Sequence, residues 1–226
     1  MLRRMALVLA VVASLLIAAL PAAAATTSHS QERGSGLSAG FSNVVWDEDG
    51  NLAPGDYFET YVDAATYVAK TDGSWMYQYV CIDHYEFTIT RRGRWVDESW
   101  FYACGEATTL TLGKGLGSGH LLATFEAEEC LAWDEATWEC TEPISLGTID
   151  VDLTLTGTGR VERWHGTGSG GTAGSYQYTS HGSGSSRSAD VSGTVTLDGA
   201  SLTTDATPAY GWLFTSKNGY VDVWHD

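Results

Sequence analysis

The sequence predicts an all-β protein, an antiparallel β-sandwich with jelly-roll or Ig-like topology left open, stapled by two local disulfides. Three observations carry this. Between residues 149 and 156, Ile149, Val151, Leu153 and Leu155 alternate with Asp150, Asp152, Thr154 and Thr156, the period-two pattern of a strand with one wet side. Cys81, Cys104, Cys130 and Cys140 form an even set with no C-x-x-C pair, which favours disulfides over zinc. Nine Trp, eleven Tyr and six Phe supply enough aromatic mass for the core of one domain.

Taken in order, the chain opens on "MLRRMALVLAVVASLLIAALPAAAA": two arginines, an apolar run from Met5 to Leu20, then Pro21 and small residues. This reads as a secretory signal peptide over residues 1–24, and no later apolar stretch is long enough to cross a bilayer. Cleavage removes Arg3 and Arg4 and no acid, taking the net charge from −16 to −18. So acidic a chain is expected to repel nucleic acid and anionic membrane surfaces. A secreted monomer with a glycan or protein partner fits better.

Residues 25–40, polar and rich in Gly and Ser, are expected to be a flexible lead-in. Residues 41–226 are expected to form a single sandwich domain. Its first segment, "NVVWDEDGNLAPGDYF", is dense in turn-formers. "PGDYFETYVDAATYVAK" has a rival helical spacing at Tyr57, Tyr61 and Ala65 or Val68, but its aromatic and Thr content favours a strand. "HLLATFEAEE" is read as a strand. A Gly/Ser-rich loop is expected near residues 166–188, interrupted by Tyr176 and Tyr178. "ADVSGTVTLDGASL" repeats the alternation through Val191, Val195 and Leu197. "YGWLFTSKNGYVDVWHD" reads as a closing hairpin turning on Asn218-Gly219.

The cysteine pairing follows from register. A hairpin turning on Arg92-Gly93 sets Ile89 opposite Val96, Phe87 opposite Glu98, Tyr85 opposite Trp100 and Asp83 opposite Tyr102. Cys81 then falls opposite Cys104, within disulfide reach. Cys130 and Cys140 are left to close "CLAWDEATWEC". Each bridge is expected to contribute ~3 kcal/mol by restricting the unfolded chain.

Catalytic motifs are missing. No G-x-S-x-G, H-E-x-x-H or phosphate-cradling Gly motif stands in the chain. With 28 acids, some carboxylate pair will meet any distance rule for glycoside hydrolysis, so the sequence singles out no catalytic residue. No cofactor is expected, and calcium is the one ion the acids could suit. Asp47, Asp49 and Asp56 are candidate ligands, although the Gly at 50 and the lack of a distant Glu break the EF-hand spacing. Trp133 and Trp138 beside Asp134 and Glu135, in the Cys130–Cys140 loop, are candidate ligand-binding residues. His84 is expected to share a sheet face with Ile82 and Glu86 and to face Phe101, as a packing residue rather than a metal ligand. "RRGR" at 91–94 is expected to be a solvated tip. The reading is therefore a secreted, non-catalytic binding module. A carbohydrate-active hydrolase with a carboxylate pair is the alternative, followed by a purely structural extracellular protein.

Overall fold

Burial with period two marks the core stretches of the long strands, β7 most regularly. In the computed structural model, which describes residues 25–70, 74–130, 132, 140–172, 176–204 and 206–225, the strands are β1 (Ala25–Ser42), β2 (Gly55–Lys70), β3 (Ser74–Ile89), β4 (Trp95–Gly105), β5 (Thr109–Leu112), β6 (Ser118–Cys130), β7 (Pro143–Gly157), β8 (Glu162–Thr172), β9 (Tyr176–Leu197), β10 (Ala200–Ser201) and β11 (Thr207–His225). All pair antiparallel in one 11-stranded sheet, ordered β4-β3-β2-β1-β11-β9-β7-β6-β5, with β8 and β10 also on β9. Most neighbours in the chain are neighbours in the sheet, β4 and β5 standing at opposite ends of the path, and the last strand returns to pair with the first. This is a meander rather than the Greek key of a jelly roll or Ig domain.

The sheet curls back on itself, so its two halves face each other as in a sandwich. Leu37, Val62, Val80 and Ile82 from one half pack with Leu121, Ile149, Val151, Leu153 and Val195 from the other. Each fully buried Leu, Ile or Val in this set contributes ~2 kcal/mol. The ends of the path meet where Gly105 of β4 lies against the Phe125 ring of β6. In β7 the residues buried are Ile149, Val151, Leu153 and Leu155, as the alternation requires.

Cys81 and Cys104 are bonded, with Cα atoms 4.1 Å apart. The expected register holds from Cys81–Cys104 through Glu86–Ser99, including Tyr85–Trp100 and Asp83–Tyr102. Toward the tip it is off by one: Ile89 pairs with Trp95 and Phe87 with Asp97. The turn has three residues, Arg91, Arg92 and Gly93, closed by Gly93 N–H to Thr90 O (2.8 Å) with Gly93 at φ 69°. Three-residue hairpin loops ending on a left-handed glycine are a favoured class. A register shift between Glu86 and Phe87 then restores the alignment, so the cysteines meet because two deviations cancel. Cys140 is also disulfide-bonded. Its expected partner Cys130 closes β6, and that side chain lies outside the described residues. Thr141 N–H and hydroxyl both donate to Ala132 O, at 2.9 and 3.0 Å, drawing the ends of this segment together.

Three segments differ from expectation. Residues 25–40 are not a lead-in but most of β1, paired throughout with β11 and from Gln31 onward also with β2. Of the Gly/Ser-rich stretch 166–188, residues 166–172 belong to β8 and residues 176–188 to β9. Asn218-Gly219 does not turn but lies within β11, where Asn218 pairs with Glu32 on one side and Gly182 on the other. A hairpin there would surrender ladders on both edges of a central strand.

The glycines explain how such polar segments hold as strands. Five of them face an aromatic residue on a neighbouring strand: Gly34 opposite Tyr67, Gly40 between Tyr61 and Tyr210, Gly36 opposite Phe214, Gly184 opposite Trp164, Gly170 opposite Tyr178. The rings lie across the vacant positions. A Cβ at Gly34 would sit 2.5 Å from Tyr67 Cε1, at Gly40 2.5 Å from Tyr210 Cε1, and at Gly184 2.5 Å from Trp164 Nε1. Glycine weakens a strand by itself, but ring-over-glycine pairs restore cross-strand contact.

"NVVWDEDGNLAPGDYF" turns at Asp47–Asn51 and runs into β2 at Gly55. Asp47 Oδ1 accepts the N–H groups of Asp49 (3.0 Å) and Asn51 (2.8 Å), and Trp46 bridges to Leu52. Val44 and Leu52 cover a satellite cluster of Tyr57, Phe87 and Ile89. His84 is buried beside Phe101, ring centroids 5.4 Å apart. Its Nδ1 lies 2.8 Å from the Thr60 hydroxyl, which donates to Leu202 O at 2.7 Å. Burial holds this imidazole below its ordinary value, with Glu86 pulling the other way.

Candidate functional site

The outer face of β4-β3-β2-β1-β11 carries the polar phase of amphipathic strands, and that phase is aromatic. Alternation in β2 sends Val62 and Ala64 inward, which puts Glu59, Tyr61, Asp63 and Tyr67 outside. In β3, Val80 and Ile82 go inward, leaving Tyr77, Tyr79, Asp83 and Tyr85 outside with Cys81. Register then assembles rows across the strands. One row runs Tyr102, Asp83, Tyr61, Gly40, Tyr210. The next runs Cys104, Cys81, Asp63, Ser38, Trp212. A third adds Trp100, Tyr85 and Glu59.

Together they shape a shallow depression of about 330 Å³ lined by Tyr61, Asp63, Tyr79, Asp83, Tyr102 and Tyr210, with the Cys81 bridge at its floor. Tyr61 stacks with Tyr210 (centroids 6.2 Å) and Tyr79 with Tyr67 (6.3 Å). Trp100 Nε1–H donates to Asp83 Oδ1 at 2.7 Å, fixing one aromatic against one acid. Trp100 and Tyr102 remain 57 % and 53 % exposed, available to a ligand.

Burial pushes the Tyr61 hydroxyl up to about 12, aided by the charge and hydrogen bond of Glu59. Burial likewise takes Tyr79 to about 12, with Tyr67 and Asp63 adding to it. The ordinary value is ~10. Between pH 10 and 12 the folded state therefore holds protons that the unfolded chain has released, and stability falls as pH rises across that window. A tyrosinate absorbance titration is expected to show a late-ionising fraction that shrinks in Tyr61→Phe and in Tyr79→Phe. Superimposable curves for parent and variants would overturn this enclosure.

The candidates named from sequence fall elsewhere. Asp47 and Asp49 lie together in the turn, with Asp47 engaged by the turn's own amides. Asp56 stands apart at the start of β2, where its Oδ1 accepts the Thr88 hydroxyl at 2.8 Å. No cluster of three or more His, Cys, Asp or Glu able to hold a metal occurs among the described residues. Trp133, Asp134, Glu135 and Trp138 lie outside the described residues. The RRGR tip is exposed. Sequence reasoning missed the outer face, although its signal was present: Tyr61, Asp63 and Tyr67, then Tyr77, Tyr79, Asp83 and Tyr85, all fall on the phase opposite the aliphatic residues.

Two kinds of chemistry suit this face. Flat rings offer stacking surfaces to the C–H faces of sugars, and carboxylates and phenols between them accept and donate to hydroxyls. Compared with known protein families and with curated proteins, the sequence matches none. The described chain contains no helix long and apolar enough to cross a membrane.

Proposed function

We propose that the protein is a secreted, non-catalytic glycan-binding module that docks sugar chains on this outer aromatic face. The observation that carries the reading is the pair of rows centred on Tyr61, Asp83, Tyr102 and Tyr210, where rings and carboxylates alternate across neighbouring strands. The Cys81–Cys104 bridge and the leader-like N-terminus favour an oxidising, extracytoplasmic setting.

Affinity electrophoresis in gels containing neutral polysaccharides tests it. Trp100→Ala with Tyr102→Ala is expected to weaken retardation roughly 30-fold, since two stacking aromatics contribute about 1 kcal/mol each. Both side chains are more than half exposed, so the fold should survive the change. If the double variant binds every tested polysaccharide as tightly as the parent, this face is not the site. Trp133→Ala with Trp138→Ala separates the loop from the face.

A second reading has its own observation. Asp63 and Asp83 are diagonal neighbours in the same depression. Diagonal cross-strand residues have backbones ~7–8 Å apart, a spacing from which two carboxyl groups can reach the ~6.5–9.5 Å separation that inverting glycosidases use. It ranks second because Asp63 is exposed and Trp100 occupies an oxygen of Asp83, while a general acid needs an enclosing apolar pocket. Release of reducing ends that disappears in Asp83→Asn would bring it forward. A purely structural role is what remains if neither binding nor cleavage is found.

A further inference from the structure

The opposite face of the same sheet has the reverse chemistry. Beyond Leu37 and Leu213 the sheet extends past the core, built from β8, the first part of β9, the last part of β11, the start of β1, the end of β2 and the start of β3. The core phase of these strands, which inside the domain is aliphatic, becomes cationic and polar here. Across one row stand His165, Ser183, Lys217, Arg33, Val68 and Met76. The next holds Thr167, His181, Gly219, Gln31 and Lys70. Arg163 precedes them on β8 and His29 follows on β1. Val68 and Met76 are 39 % and 72 % exposed, so no layer of the described chain covers this surface.

Two features set this surface apart in a chain of net charge −16. No Asp or Glu shares this phase of the extension among the described residues: Glu32, Glu162 and Asp222 all occupy the other one. In addition, Arg33 and Lys217 are directly paired across β1 and β11. Like charges directly opposite destabilise a sheet, and 28 acids in the chain offered a cheap remedy. The described ion pairs join only His84 to Glu86 and His120 to Asp152. A depression of about 330 Å³ lies here, lined by Gln31, His165, Thr167, His181, Ser183 and Lys217.

We propose that this face binds an acidic polysaccharide, with Arg33 and Lys217 holding its carboxylate or sulfate groups. Gln31, Ser183, Thr167, His165 and His181 then donate to and accept from the ring hydroxyls around each anion. Strands repeat every ~4.8 Å across a sheet, close to the length of one pyranose in an extended chain, so a polysaccharide crossing β8, β9, β11 and β1 meets His165, Ser183, Lys217 and Arg33 at successive sugars. The phase carries no Trp, Tyr or Phe among the described residues, so the bases of a nucleic acid would have only imidazole and guanidinium planes to stack on. The net negative charge elsewhere acts little at this site, because salt screens beyond ~8 Å at physiological strength. This inference rests on a different face and does not depend on the outer-face reading.

The test is Lys217→Glu. It replaces a repulsive cross-strand pair with an attractive one opposite Arg33, so the melting temperature is expected to hold or rise. Affinity for a polyuronate, or for a sulfated polysaccharide, is expected to fall at least about tenfold, the loss of one charge-assisted contact. Arg33→Glu should act alike. Trp100→Ala with Tyr102→Ala should leave this binding intact, and a neutral polysaccharide should not compete. The proposal is overturned if Lys217→Glu binds the polyanions as tightly as the parent. It is equally overturned if neither polysaccharide binds, or if single-stranded DNA of matched charge binds as well.

Discussion

Gly36→Ala is expected to lower stability by about 2–3 kcal/mol, whereas Gly166→Ala is expected to change it by no more than about 0.5 kcal/mol. Both residues sit in strands that composition marks as flexible, and both substitutions add one methyl. The difference lies in what the methyl meets. At Gly36 a Cβ would collide with Ala64 O and would stand 2.6 Å from Phe214 Cζ and 2.9 Å from Ala65 Cβ. Ala64 O belongs to the β2 backbone, so it cannot retreat without disturbing the β1–β2 ladder. At Gly166 nothing lies within 4 Å. Urea denaturation with equal slopes would report the difference directly. Equal small effects at both positions would mean that the glycine stretches are loose chain rather than seats for rings.

Cys81→Ala with Cys104→Ala is expected to cost about 3 kcal/mol, the loop-closure value for partners 23 residues apart. The bridge joins directly paired residues of β3 and β4, so it asks little of the folded hairpin and acts mainly by restricting the unfolded one. It also lies on the outer face, one row from Tyr102 and Asp83. Its loss should therefore weaken glycan retardation as well as lower the urea midpoint. A midpoint shift equivalent to less than about 1 kcal/mol would show that pairing alone holds β4 in place.

How much was legible in the sequence depended on whether a segment carried both phases of its own pattern. β7 did, with aliphatic and polar residues in strict alternation, and it was read correctly. The first part of β1 did not. Its outward phase is Gly34, Gly36, Ser38 and Gly40, and the rings that complete it come from Tyr67, Tyr210 and Phe214, far away in the chain. Composition reports such a segment as flexible because half of its packing surface belongs to other strands. Asn218-Gly219 failed for the converse reason: a strong local turn preference gave way to two complete ladders. The candidate faces were harder still. Each residue of the Tyr102–Tyr210 row was visible, but the row exists only once β1 and β11 pair, and nothing local specifies that pairing. The cationic face was hidden by the net charge, which averages over two sides of one sheet.

The return of the last strand to the first also sets an order of assembly. Thr27 pairs with Val223 and Ser42 with Thr207, so the middle of the sheet cannot close until almost the whole chain has been made. Such remote pairing slows folding and leaves β1 waiting with an open edge. An aliphatic strand in that position would invite other chains to add to it. The stretch of β1 from Ser28 to Gly36, made of Ser, His, Gln, Glu, Arg and Gly, offers them little, and it gains its apolar partners only when its own rings arrive.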